Sequence, residues 1–140
     1  MGKINWGRVF LGGLLAGVVI NSFEFAMSGI LLAPKWEAAM KALGRQMPSG
    51  AISIFLAYGF LMGIAAIWLY AVARPRFGPG PKTAALTGIG YWVIGYALPA
   101  VGWGATGLFP AGLIATSTLA GLWKSWWQAS LEPGCIRNRW

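Results

Sequence analysis

Residues 9–32 read VFLGGLLAGVVINSFEFAMSGILL, an apolar run that contains one charged group, Glu24. On a helix, Gly13, Gly17, Asn21, Glu24 and Ser28 share one continuous face, because each follows the last by three or four residues. Leu, Val, Ile and Phe fill the other faces. The run is long enough to cross a hydrocarbon core, which takes about 20 apolar residues. It therefore predicts a membrane span with one small, polar side and another fit for lipid.

The rest of the chain repeats that theme. Further apolar runs occupy about residues 51–73, 83–101 and 108–127, and the 140 residues accommodate a single domain. Charged residues make up 10% of the sequence, against about 25% in ordinary soluble domains. So few charges cannot cover so much apolar surface in water. The expected fold is an all-α membrane protein, a four-transmembrane-helix bundle.

Between the first two runs, residues 35–43 (KWEAAMKAL) have another character. Trp36, Met40 and Leu43 line one side, while Glu37, Lys41 and Arg45 line the other. This pattern predicts a short amphipathic helix lying in the interfacial plane. Residues 74–82 (RPRFGPGPK) carry three prolines and two glycines and predict an irregular basic turn. Pro99 predicts a kink near the end of the third span, and residues 102–107 (GWGATG) an uncharged turn. The fourth run holds only about 13 apolar residues before Lys124, which places that lysine near the inner surface.

Charge distribution sets orientation and narrows the chemistry. The amino terminus, the basic turn and the tail hold eight Lys or Arg, against three on the opposite side. Positive residues favour the cytoplasm, so both termini are expected inside, in a multi-pass protein. Cations scattered between apolar runs flank helices and do not form a nucleic-acid surface. With no His and no Asp, His-ligated haem, His-containing zinc sites and a Ser-His-Asp triad are ruled out. No catalytic residue, metal site or cofactor is expected. Cys135 stands alone and cannot form an internal disulfide.

An ionised carboxyl near mid-bilayer costs a few kcal/mol or more, so Glu24 must meet protein, water or a proton. With Lys124 assigned to the surface, no cation lies at its depth. Asn21, Tyr58 and Tyr96 are the candidate partners of a buried polar cluster that could also be a proton or cation site. Gly13 and Gly17 in the first span match Gly59 and Gly63 in the second, a small-xxx-small spacing that lets helices pack closely. Mid-span Trp92 is expected to pack between helices or line a pocket.

The segments GRVFLGGLLAGVVIN, SFEF, KWEAAMKALGR, WLYAVARPRFGPGPKTA and GLFPAGL resemble a family of small bacterial four-span membrane proteins with no assigned activity. The resemblance covers residues 1 to about 122 and implies the four-span fold and the bacterial cytoplasmic (inner) membrane. RPRFGPGPKTA is its most specific piece. The tail, WKSWWQASLEPGCIRNRW, departs from the pattern; one permissible set of codons, read in another frame, yields an apolar half-helix there. A frameshifted fourth span is the expectation, and the gene sequence tests it.

Two functions follow from Glu24. In one, Glu24 and Asn21 are glue in a structural or interaction subunit, contacting a second copy or another membrane protein. In the other, Glu24 exchanges protons or cations in a homo-oligomeric, proton-coupled transporter of small cations or hydrophobic compounds. A lone glutamate in the first of four spans is similar to the small multidrug resistance exporters, whose local signature and compact length are absent here.

Overall fold

The computed structural model describes residues 4–135, with side chains placed through Ser125, and every regular element in that range is helical. In chain order these are α1 (Trp6–Leu31), α2 (Ala33–Ala42), α3 (Ala51–Phe77), α4 (Pro81–Thr106) and α5 (Ala111–Cys135). Three of them, α1, α3 and α4, are long and apolar enough to cross a membrane. At 1.5 Å per residue, the 27 residues of α3 extend about 40 Å, beyond a hydrocarbon core of ~30 Å.

Local chemistry sets the helix ends. Asn5 caps α1 by accepting a hydrogen bond from the Arg8 N–H at 3.2 Å. Gly107, at φ 65°, closes α4 in the left-handed conformation. Between α3 and α4 the chain reverses at Gly78 and Gly80, with φ of 82° and 135°, values open to glycine and strained for other residues. Thr83 locks this reversal by donating its hydroxyl to the Gly78 carbonyl at 2.7 Å. The Gly80 N–H donates to the Tyr70 hydroxyl at 3.3 Å.

Several boundaries differ from those expected. Residues 74–77 belong to α3 and not to a turn, although Pro75 lies among them. The backbone bond that proline deletes falls in the last helical turn, where it costs least. Residues 102–106 are likewise helical, so the turn contracts to Gly107 and its neighbours. Upstream of Pro99 the helix widens into a π-turn over Val93–Ala97. A proline ring crowds the carbonyl four residues back, here that of Gly95, and the wider turn gives it room. A second π-turn, Phe25–Leu31, ends α1. The last helix runs well past residue 127, to Cys135. The frameshift expectation for residues 122–140 falls largely on side chains outside the described ones.

In space α1 packs on α3, α3 on α4, α4 on α5, and α5 returns to α1. The tightest interface is α1 on α3, and its glycines cause it. A Cβ added at Gly63 would sit 2.5 Å from both the Gly13 carbonyl oxygen and the Gly17 nitrogen. One added at Gly13 would sit 2.6 Å from the Ile64 Cα. Backbone therefore meets backbone, as small-residue pairs permit. The core cluster of Val9, Ala16, Ile67, Tyr70 and Ala84 lies toward the Gly78–Gly80 reversal. At the other end residues 52–58 of α3 are all exposed.

Candidate functional site

The site forms where α1, α4 and α5 meet. Glu24 is the last residue of the α-helical part of α1, immediately before its π-turn, and Tyr96 lies within the π-turn of α4. Such widened turns recur at functional sites because they re-aim the side chains around them. From α5, Lys124 reaches between them and pairs its ammonium with Glu24 Oε1. The second carboxylate oxygen, Oε2, accepts the Ser28 hydroxyl at 3.1 Å. Over the ammonium, 4.6 Å away, lies the face of the Tyr96 ring, whose quadrupole attracts a cation.

Lys124 was expected near the inner surface, and the absence of a cation at the depth of Glu24 was inferred from that. The structure corrects the second point, since the Lys124 ammonium lies against the Glu24 carboxylate. Because α5 continues to Cys135, Lys124 stands near the middle of a 25-residue helix. The side chain is enclosed, at 1% exposure. A signal for this was present in the sequence, since the rule that makes an unpaired Glu costly inside a membrane makes an unpaired Lys equally so. Gly121 was also passed over. It sits one turn before Lys124, and a Cβ there would lie 2.5 Å from the Tyr96 ring. Its bare backbone lets that ring close onto α5 beside the ammonium.

The other candidate residues divide. Asn21 does not bond Glu24; its Nδ2 donates to the Leu56 carbonyl of α3 at 3.2 Å. Gly59 gives it the space, since an added Cβ would overlap the Asn21 amide. Asn21 therefore ties α1 to α3, while Glu24, one turn on, ties α1 to α5. Tyr58 was expected to meet Glu24, but its side chain remains 53% exposed on α3, and Lys124 and Ser28 hold the carboxylate instead. Trp92 does pack between helices, donating its Nε1–H to the Thr118 carbonyl of α5 at 2.8 Å.

Two features set the electrostatics. The pair is neutral overall, and the charge on the lysine side is sealed from the exterior. The carboxylate side is not sealed, since 42% of the Glu24 side chain is left uncovered by the protein. Among the described residues no cluster of three or more His, Cys, Asp or Glu could hold a metal ion. The arrangement can thus cross-link helices through charge, and it can present one face of a carboxylate outward.

No protein-family model, curated protein or solved structure matches this chain.

Proposed function

We propose that this chain is a small polytopic protein of a bacterial cytoplasmic membrane, acting as a structural or interaction subunit. In this reading α5 serves as a fourth span, α2 lies in the interfacial plane, and both termini face the cytoplasm. The excess of Lys and Arg at the termini and around residues 74–82 supports that orientation. The observation that carries the reading is the ion pair between Glu24 and the enclosed Lys124. It joins the first helix to the last and neutralises both charges in place, as membrane helices require. A carboxylate already bonded at both oxygens is built to hold. Its uncovered side offers a contact to a second copy or to another membrane protein.

One observation favours a second reading, a proton-coupled exchanger. With 42% of its side chain uncovered, Glu24 can be reached without opening the helices, and Lys124 would compete with an incoming proton or cation. Adding small monovalent or hydrophobic cations to the unbuffered, detergent-solubilised protein separates the two. The subunit reading expects no proton release. In Glu24→Gln it expects lower stability or oligomer yield. Stoichiometric proton release from the wild type that is lost in a still-stable Glu24→Gln variant overturns it in favour of the exchanger.

A further inference from the structure

A groove unrelated to Glu24 opens at the α3–α4 reversal. Phe77, Lys82, Thr83, Leu86 and Ile89 line it, and it encloses about 250 Å³. Its walls are held in place from within, since Thr83 is buried and donates its hydroxyl to the carbonyls of both Phe77 and Gly78. Phe77, Leu86 and Ile89 each keep about half of their surface exposed, at 56%, 49% and 52%. Apolar rings and branches therefore flank an opening whose charged member is a lysine.

Two exposed cations stand at this end of α3 and α4, Lys82 in the groove and Arg76 next to its lining residue Phe77. Lys82 and Thr83 are also the second and third residues of α4. First-turn amides of a helix lack intrahelical partners and carry its positive end, which adds to the attraction for an anion. A cationic mouth above an apolar trough, at the level where a membrane helix ends, matches an anionic amphiphile.

We propose that this groove seats one anionic phospholipid. Its phosphate lies against Lys82 and the start of α4, and an acyl chain lies along Phe77, Leu86 and Ile89. The ligand is a lipid and not free phosphate, because three of the five lining side chains are apolar and about half exposed.

Native mass spectrometry of the full chain, released from micelles doped with equal amounts of phosphatidylglycerol and phosphatidylcholine of matched chains, tests this. The wild type is expected to retain phosphatidylglycerol preferentially. Lys82→Gln is expected to weaken that retention about fivefold, the effect of one surface cation on an anionic lipid, and Lys82→Arg to preserve it. Arg45→Gln, which removes an exposed cation at the far end of α3, should leave retention unchanged. Lys82 is exposed, so its replacement puts little of the fold at risk. The proposal is overturned if both lipids are retained equally, or if Arg45→Gln acts as strongly as Lys82→Gln. It is also overturned if millimolar inorganic phosphate displaces phosphatidylglycerol, which marks the site as one for the free ion.

Discussion

Glu24→Gln replaces one carboxylate oxygen with an amide nitrogen and leaves almost every contact of similar shape in place, so it isolates the charge. Lys124 is 1% exposed and cannot turn to solvent for compensation. Removing one partner of a fully buried pair typically costs about 3–5 kcal/mol, since the other charge is left unmatched, and with 42% of the Glu24 side chain uncovered the cost here lies at or below the bottom of that range. The Tyr96 face and the glutamine carbonyl still receive the ammonium, which sets the expectation at the low end, about 3 kcal/mol or roughly a hundredfold in the folding equilibrium. Lys124→Met should cost a similar amount. The double variant Glu24→Met, Lys124→Met should return close to the wild type or exceed it, because a matched apolar pair often replaces a buried ion pair without loss. Reversible unfolding of the wild type, Glu24→Met, Lys124→Met and the double variant in one detergent system gives the coupling energy directly, with Glu24→Gln measured alongside. Independent sites add to within about 0.5 kcal/mol. If the two single losses simply sum in the double variant, or if Glu24→Gln matches the wild type, the pair does not hold the helices and the reasoning fails.

Two further substitutions probe packing. Gly63→Ala forces a methyl onto the backbone of both Gly13 and Gly17 and should cost about 1–3 kcal/mol, whereas Gly104→Ala, with nothing within 4 Å, should gain up to about 1 kcal/mol of helix stability. Thermal melts that shift in the same direction for both would rule out the close approach of α1 and α3. Tyr96→Leu removes the ring over the ammonium and should cost about 2 kcal/mol, while Tyr96→Phe keeps the ring and most of that stability. Equal losses in the same unfolding assay would show that the hydroxyl, not the ring, matters.

Some of this architecture was legible in the chain and some was not, for identifiable physical reasons. Apolar runs located α1 and the start of α3 to within a few residues, since burial in lipid leaves a continuous signature. The amphipathic pattern of residues 35–43 coincides with α2, Ala33–Ala42. Glycine spacing pointed to the α1–α3 contact, because the residues that allow close approach must themselves be small. Helix ends at prolines were harder to place. Pro75 read as part of an irregular turn and Pro99 as a kink, yet a last turn absorbs one and a π-turn the other, and neither device has a reliable sequence mark. The partner of Glu24 was missed because the length of α5 was judged from its apolar run alone. Tryptophan, lysine and serine at residues 123–127 look like the end of a span, whereas the backbone stays helical through them.

Glu24 and Lys124 stand 100 residues apart in the chain, and that separation has a consequence for biogenesis. At about 5–20 residues per second of synthesis, the acid emerges from the ribosome roughly 5–20 s before its base exists. For that interval the nascent first helix must shelter an uncompensated acid, by keeping a proton, by lingering at the insertion machinery, or by borrowing a chaperone's polar surface. Chains stopped short of Lys124 never escape this condition, so truncated copies should hold their first helix in place less firmly than finished ones.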